Sequence, residues 1–371
     1  MRLVVDSPAV QHVEQTWPEF RRDPRHLCFG LASDGVSPYV KNIDIYLEPL
    51  VEELQQLWDR VDDVYDGRTE RIGRDRWFTL KGVLLWTMHD YPGYAQVSGF
   101  QTSGYAACPT CGPALPVARS SHLSKQVYMS YSTYLPMDDP LRGTGAERNN
   151  VAPPIPLDMN WWEQRWRDVE EGHIPAERVG LKRWSILHRL PYWKDLMIQH
   201  LLEPMHIEAN VTKSLIKRIF GEKDGKPARR ACEEFGVHPE AWIQVSDGGI
   251  ESLPPAPWIL TTEERKICKK RISEIRFPIG FGSCLRKGFE KDGPKWPSAL
   301  KSHDYHILLQ YVLPICLQGL GTQDLRDAIC DLSVLMRWVC SKTIRIGEID
   351  EKEFSSSRKT SQVPFSTRIH A

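Results

Sequence analysis

Four stretches of the chain carry apolar residues at the three-to-four-residue spacing of an amphipathic helix. They are residues 43–61, 204–221, 303–318 and 323–342. The second stretch begins with a proline and ends with two basic residues and a glycine, which are typical start and stop signals of a helix. The pattern therefore predicts four helices, and we expect the apolar face of the first to pack on a sheet.

Two shorter apolar runs each lead to an acidic residue. Residues 27–32 precede Asp34 and a turn that contains glycine and proline, which predicts a strand. Residues 77–90 form a denser run that ends at Asp90, and its periodicity does not distinguish a buried strand from a buried helix. A strand exit can hold a side chain rigidly and still leave it accessible. An Asp-Gly pair after an apolar run is nevertheless more often an ordinary turn.

The segments between these elements are rich in polar and turn residues. Residues 135–160 contain many proline, aspartate and glycine residues and predict a surface loop. Residues 221–260 are polar and interrupted by prolines, which predicts a linker or a peripheral region. The tail from Gly347 is polar and predicts disorder.

Composition narrows the class of protein. The 371 residues are 41% hydrophobic, which is enough for a sizeable core. Forty-eight basic and 48 acidic side chains cancel, so a nucleic acid would have to be bound by a local basic patch. Nine scattered cysteines argue against a secreted disulfide framework. No apolar run approaches the roughly 20 residues of a membrane span and no secretory signal is evident, so we expect a cytosolic or nuclear protein.

Three acids on the predicted elements are candidate ligands of a divalent metal. They are Asp34, Asp90 and Glu208, the last near the start of the second predicted helix. Carboxylates are the hard ligands that hold Mg²⁺ or Mn²⁺, and two such ions about 4 Å apart can promote attack on a phosphodiester. Spacing alone is weak support, because 48 acidic residues offer many sets of three.

One pair of cysteines has the spacing of zinc ligands. Cys108 and Cys111 lie in the motif CPTC, and the two intervening residues let both thiolates reach one tetrahedral Zn²⁺ ion. Because no second pair lies nearby, a pair of reduced or redox-active cysteines is an equally good interpretation. His122, His200 and His206 are candidate completing ligands, although none has a diagnostic spacing.

Two basic clusters and a group of aromatic residues have both a functional and a structural interpretation. The basic clusters cover residues 217–230 and 265–271, and the aromatic residues lie between positions 161 and 193. Contacts to phosphates and stacking on bases are the functional interpretations. Solvated helix faces and core packing are the commoner roles of such residues, and we favour them.

Seven stretches in chain order carry a family resemblance. They are DSPAV, DPRHLCFGLASDGVSPY, NIDIYLEPLVEELQQLW, LKGVLLWTMHDYPGYAQVSGF followed by CPTC, YMSYSTYLPMDDPLR, LPYWKDLMIQHLLEPMHIEANV and KSHDYHILLQYVLPICL. Together they cover most of the chain from Asp6 to about Ile344 and resemble the catalytic region of plant CACTA-type (En/Spm-type) DNA transposases.

The resemblance implies an α/β fold of the ribonuclease-H-like type, in which helices flank a mixed sheet and an α-helical region follows. It implies that Asp34, Asp90 and Glu208 form an Asp-Asp-Glu set. In the family such a set holds two Mg²⁺ or Mn²⁺ ions, cuts DNA at transposon ends and joins it to a target.

Two further motifs match elements that accompany this set in the family. Glu203 and His206 match an acid-x-x-His element near the last acid. Cys108 and Cys111 match the zinc pair of an insertion, which would span about residues 100–180 here.

The chain differs from the family pattern directly after Asp34. Residues 39–41 join the turn to the first predicted helix, where family members carry several dozen residues that include two strands of the sheet. We therefore expect a truncated fold with an incomplete sheet. The expected divisions are a degenerate transposase domain over 1–225, a linker or peripheral region over 226–300, a helical region over 301–345 and a disordered tail over 346–371.

These observations predict a transposase-like protein that is inactive in DNA cleavage. The expected partner is DNA, both transposon ends and target, with a homo-oligomer among the expected assemblies and no membrane association. We expect the protein to be nuclear after synthesis in the cytosol. Two alternatives stay open: a non-catalytic remnant that binds DNA or protein, and a structural module stabilised by zinc.

Overall fold

The structure is a computed structural model that describes residues 6–33, 42–67, 76–128, 137–138, 142, 152, 157–222, 224–278, 285 and 300–341. The chain forms two compact units. The first comprises Met1–Ala114 and Ile155–Glu203, and the second comprises Leu115–Pro154 and Pro204–His370. These units are defined by the contacts within each of them. The domain divisions expected from the sequence were drawn on other grounds and stay predictions.

Strands and helices alternate along the described residues. The strands are β1 (Leu27–Ser33), β2 (Val61–Tyr65), β3 (Trp77–Leu80), β4 (Gly82–His89), β5 (Val117–Ser120), β6 (Lys125–Tyr128), β7 (His200–Leu202), β8 (Gln244–Val245) and β9 (Glu251–Ser252). The helices are α1 (Pro8–Thr16), α2 (Glu19–Arg22), α3 (Asp44–Asp59), α4 (Tyr91–Ser98), α5 (Met159–Glu170), α6 (Ala176–Val179), α7 (Pro204–Ile219), α8 (Lys226–Glu234), α9 (Thr262–Glu274), α10 (Ser302–Ile307), α11 (Leu313–Cys316) and α12 (Gln323–Val339). A π-helical segment, Leu308–Val312, joins α10 to α11.

A parallel sheet of three strands forms the centre of the first unit. Its order is β1-β4-β7, and β4 therefore has a neighbour on each side. Nearly every residue of β4 is buried, as expected for a central parallel strand with both faces covered. Such a strand lacks the alternation of apolar and polar residues, which explains why the periodicity of residues 77–90 could not separate strand from helix.

Helix α3 packs against the sheet through its apolar face. Val51 and Leu54 lie in one buried cluster with Val83 and Leu85 of β4. Both the helix predicted near residues 43–61 and its packing on a sheet are confirmed. The hairpin of β2 and β3 follows α3, and the two strands pair antiparallel.

Helix α7 of the second unit has the start and stop signals expected from the sequence. Pro204 opens it, Lys217 and Arg218 lie in its last turn, and Gly221 follows in the left-handed region at φ 68°. Its residues Leu215 and Ile216 are fully buried in a cluster that also contains residues of the π segment and of α12. The three helices predicted from periodicity after residue 200 are confirmed.

Residues 226–278, expected to be linker or peripheral, contain two helices and a short hairpin. Cys268 and Ile272 of α9 are fully buried in the cluster of the second unit. Polar surface residues dominate the sequence of this segment, so its few buried positions give only a weak periodic signal. Most of the loop expected over 135–160 and the whole tail from Gly347 lie outside the described residues.

The architecture confirms the mixed α/β class, with helices and small sheets. Membership of the ribonuclease-H-like type stays a prediction. None of the described helices is long and apolar enough to cross a membrane.

Candidate functional site

The carboxyl ends of β1 and β4 lie side by side in the first unit. Ser33 pairs with His89 in the parallel register, and each is the last residue of its strand. The predicted acids follow them directly in the chain, at positions 34 and 90. Asp34 itself lies outside the described residues. The described register thus aligns the two strand ends that precede the first and second predicted acids.

Asp90 has a structural role at the exit of β4. Its side chain caps α4, because Oδ1 accepts a hydrogen bond from the backbone N–H of Gly93 at 2.7 Å. A carboxylate at this position satisfies an unpaired N–H and interacts favourably with the helix dipole. Capping occupies one carboxylate oxygen, so the interaction is compatible with a ligand role for the other.

Two histidines lie on the sheet next to these positions, of which His89 is buried and His200 is half-buried. The Oγ of Ser33 is 2.6 Å from Nδ1 of His89, and Oγ1 of Thr87 is 2.7 Å from Nδ1 of His200. Burial lowers the pKa of both imidazoles, and that of His200 falls well below its usual value. Both rings are therefore neutral at pH 7. Nε2 of His89 is buried and has no hydrogen-bond partner among the described residues.

Glu208 is enclosed within the second unit, with 0% of its surface exposed. Its Oε2 accepts a hydrogen bond from Nδ1 of His306 at 2.5 Å and lies 3.4 Å from Nε2 of Gln310. The Sγ of Cys340 lies 4.0 Å from the same oxygen. Burial raises the pKa of Glu208, and the hydrogen bond from His306 opposes that rise. Oε1 is buried and has no hydrogen-bond partner among the described residues.

These surroundings do not fit Glu208 as a ligand of Mg²⁺ at a DNA-cutting site. Mg²⁺ in such sites prefers oxygen ligands and keeps several waters, and its substrate must reach it. Glu208 has no exposed surface, and its nearest partners are an imidazole nitrogen, an amide nitrogen and a thiol sulfur, none of which is an oxygen ligand.

The predicted site residues are divided between the two units. Asp90, Cys108, Cys111 and Glu203 belong to the first unit, whereas His206 and Glu208 belong to the second. Two of them, Glu203 and His206, flank the start of α7, and both side chains are half-buried. The backbone N–H of Glu203 donates to the carbonyl of His89 at 2.8 Å, which extends the pairing of β7 with β4.

Cys108 and Cys111 lie on a tight turn of the first unit. The backbone N–H of Cys111 donates to the Sγ of Cys108 at 3.4 Å, and Cys111 is almost fully buried at 1% exposure. Across the described ranges, no third His, Cys, Asp or Glu joins them with all ligand atoms within 4.8 Å of one another. Of the proposed completing ligands, His122 is exposed and His200 is bonded to Thr87. A zinc ion at CPTC stays a prediction.

The basic clusters are largely engaged in the second unit. Arg229 is 2% exposed, pairs with Asp224 and donates to the carbonyls of Ala241 and Pro254. Arg271 donates to the carbonyls of Cys316 and Gln318. These arginines stabilise loops and helix ends, which favours the structural interpretation over phosphate contacts.

The aromatic residues between 161 and 193 are mostly core. Trp162, Tyr192 and Trp193 are at most 1% exposed. Trp162 packs edge-on against Phe100 at a centroid distance of 4.7 Å. The core interpretation is confirmed for these three side chains, which have no face available to a base.

Sequence reasoning missed the partners of Glu208. His306, Gln310 and Cys340 lie about 100 residues or more beyond it in the chain, at separations of 98, 102 and 132 positions. The only local signal was the four-residue spacing of His306 and Gln310, which places both side chains on one face of a helix.

The described residues thus define a mixed α/β protein in which two neighbouring parallel strands end directly before the first and second predicted acids. Residues 40–157 match the model of a family described as Transposase family tnp2. The match covers about a third of the chain, from the start of α3 through β4, α4 and the CPTC turn. It supports a transposase-like function. No curated protein and no solved structure matches the chain.

Proposed function

We propose that the chain is a transposase-derived protein of the CACTA (En/Spm) type that binds DNA without cutting it. The observation that carries this proposal is the complete burial of Glu208 in a chain that matches a transposase family over residues 40–157. The family match supports DNA as the partner. The burial of Glu208 argues against cleavage, because a three-acid site lacks one ligand when that side chain is enclosed.

The sheet supports the same origin. A ribonuclease-H-like sheet requires its first and second acids on adjacent strands, and β1 and β4 are adjacent and parallel, with Ser33 opposite His89. We propose that this sheet is the remaining part of such a fold, with Asp34 and Asp90 in the positions of the first two acids. Its expected partners are transposon ends and target DNA, which a nuclear protein would meet.

A nicking assay with supercoiled plasmid tests the loss of cleavage. We expect the purified full chain with Mn²⁺ to release no more nicked plasmid than its Asp90→Asn variant, in which the amide oxygen still caps α4. Asp158→Asn is the matched control, because Asp158 caps α5 in the same way through the N–H of Trp161. Nicking by the wild type and by Asp158→Asn, but not by Asp90→Asn or Asp34→Asn, would overturn the proposal.

DNA binding is measured separately by fluorescence anisotropy with labelled duplex. We expect binding that weakens as the salt concentration rises, because contacts to phosphates release counterions. Asp90→Asn should bind at least as tightly as the wild type, since it removes a negative charge. Absence of binding at low salt would contradict the DNA-binding part of the proposal and would favour a protein-binding remnant.

A further inference from the structure

Three side chains of metal-ligand type meet inside the second unit. Glu208 lies on α7, His306 on α10, and Cys340 directly follows α12. One ligand atom from each lies within 4.8 Å of the other two. Within the described part of the chain, no other group of three or more His, Cys, Asp or Glu residues is this close. The fold therefore gathers these three ligands from distant parts of the sequence.

The unpartnered oxygen of Glu208 is an independent sign that the cluster is incomplete. Oε1 is buried and has no hydrogen-bond partner among the described residues, while Oε2 receives the hydrogen bond of His306. A buried polar atom normally has a partner, and an ion is one of the few groups that can satisfy a carboxylate oxygen away from water. Oε1 is therefore available to a cation.

The helix that carries His306 is irregular at this point. The π segment Leu308–Val312 begins two residues after His306, and Gln310 lies at the centre of that segment. Its Nε2 is 3.4 Å from Oε2 of Glu208 and 3.2 Å from Nδ1 of His306. Ser333 of α12 donates to the backbone carbonyl of Gln310 at 2.7 Å. Single π turns inside helices occur frequently at functional sites, where they redirect side chains.

We propose that Glu208, His306 and Cys340 bind a Zn²⁺ ion that links α7, α10 and the end of α12. A set of one oxygen, one imidazole nitrogen and one thiolate suits Zn²⁺, which accepts all three donor types, and does not suit Mg²⁺ or Ca²⁺, which require oxygen. This inference goes beyond the proposed function, and neither depends on the other.

Small side-chain movements complete the coordination. Zn–N and Zn–O distances of about 2.0–2.2 Å and a Zn–S distance of about 2.3 Å separate tetrahedral ligands by roughly 3.3–3.6 Å. The contact between Nδ1 of His306 and Oε2 of Glu208 is 2.5 Å and must open, whereas Sγ of Cys340, 4.0 Å from Oε2, must approach. Rotation of the carboxylate can present Oε1 instead.

The cluster also has a route for the ion and a fourth polar group. Cys340 is exposed at the end of α12, so an ion can enter from its side. As the ion binds, the thiol of Cys340 releases its proton to solvent, and the proton on Nδ1 of His306 passes to solvent or to Nε2 of the same ring, which leaves a lone pair on Nδ1 for the ion. The Gln310 amide lies beside the three ligands, and rotation about its last bond turns its oxygen toward the ion.

Cobalt titration of the full chain tests the site. To remove the CPTC pair, the background variant is Cys108→Ser with Cys111→Ser. We expect one equivalent of Co²⁺ to produce thiolate-to-cobalt charge transfer and the visible bands of four-coordinate cobalt, and Zn²⁺ to abolish both. Adding Cys340→Ser should remove the charge transfer and lower the affinity by about 100-fold or more, because losing even a supporting residue costs 10–100-fold.

Cys330→Ser is the matched control, since Cys330 is an exposed cysteine on α12, where it precedes Cys340 by ten positions. We expect it to keep the full spectrum. Absence of cobalt binding in the background variant, charge transfer that persists in Cys340→Ser, or equal loss in both serine variants would overturn the proposal. Plasmid nicking is not part of the readout, so this result is independent of the test of DNA cleavage.

Thermal unfolding shows whether a variant that loses metal binding still folds. At about 100 times the dissociation constant, Zn²⁺ should raise the Tm of the background variant by roughly 5–10 °C. Cys340→Ser should have the same Tm as the background without metal and should show no rise with Zn²⁺. An equal rise in both proteins would contradict zinc binding at Cys340.

Discussion

The two compact units differ in whether the ionisable groups that they enclose are neutral or charged. In the first unit, the imidazoles of His89 and His200 lie against the hydroxyls of Ser33 and Thr87, and burial lowers their pKa values so that they are neutral. In the second unit, the guanidinium of Arg229 is 2% exposed and pairs with the carboxylate of Asp224. The first unit therefore buries neutral polar groups, and the second buries charges.

Within the second unit, one buried polar network is satisfied by the protein and another is incomplete. Every nitrogen of the Arg229 guanidinium donates to Asp224 or to a backbone carbonyl, so that network is satisfied by protein alone. Glu208 in the same unit has one oxygen that no described residue satisfies. A buried charged group needs partners for all its donors or acceptors. Those of Arg229 are satisfied and one oxygen of Glu208 is not, which is why we place a cation at Glu208.

Breaking the Arg229 network should have the largest effect on the free energy of unfolding. Arg229→Met should lower the free energy of unfolding by about 3–5 kcal/mol, because it leaves Asp224 and two carbonyls without their donor. Arg230→Met is the control in the next position, where the side chain is 36% exposed, and should cost at most about 1 kcal/mol. Urea unfolding at pH 7 measures both. Equal effects would contradict a special role for the buried pair.

A pH effect of similar size is expected in the first unit. Burial lowers the pKa of His188 to about 4. Its ring stacks on that of Trp184, with 3.8 Å between the ring centroids. The unfolded chain protonates this group near its ordinary value of 6.5, so between pH 6.5 and about 4 the unfolded state binds more protons. Above that window, the neutral His188 ring does not lower the free energy of unfolding. As the pH drops through the window, the free energy of unfolding falls by about 3 kcal/mol.

His188→Gln tests this pH dependence. The variant should lose less unfolding free energy than the wild type between pH 7 and pH 4, and the difference between the two curves isolates the one imidazole. His122→Gln, at an exposed position, should follow the wild type. Parallel curves for all three proteins would mean that His188 is protonated in the folded state as easily as in the unfolded chain.

A smaller effect is expected from the bond between hydroxyl and imidazole. Thr87→Val keeps the shape of the side chain but leaves Nδ1 of His200 without its partner, which should cost about 2 kcal/mol. Thr79→Val on β3 removes an exposed hydroxyl that donates to Asp62 and should cost no more than about 0.5 kcal/mol. Thermal unfolding compares them, and equal Tm values would show that the buried bond contributes nothing.

Sequence periodicity was sufficient where one face of an element is buried. Helices α3, α7 and α12 were predictable because apolar residues recur every three or four positions on one side. The sequence did not show whether the residues of β4 form a strand or a helix. A strand buried on both faces lacks the alternation of apolar and polar residues, so its sequence resembles that of a buried helix.

The candidate site was predictable only in part. The sequence indicated Asp90 at the exit of an apolar run, and it does follow β4 and cap α4. The enclosure of Glu208 was not predictable, because its partners come from α10 and the end of α12 and depend on tertiary packing. An acid on an amphipathic helix carries no local signal that tells a solvent-facing ligand from a buried one.

The most direct test is anomalous X-ray diffraction from crystals of the full chain soaked separately in Mn²⁺ and in Zn²⁺. We expect a zinc peak bounded by Glu208, His306 and Cys340, and no manganese peak in contact with Glu208. A manganese peak shared by Glu208 with Asp34 or Asp90 would contradict this assignment and would restore Glu208 as the third acid of a DNA-cutting site.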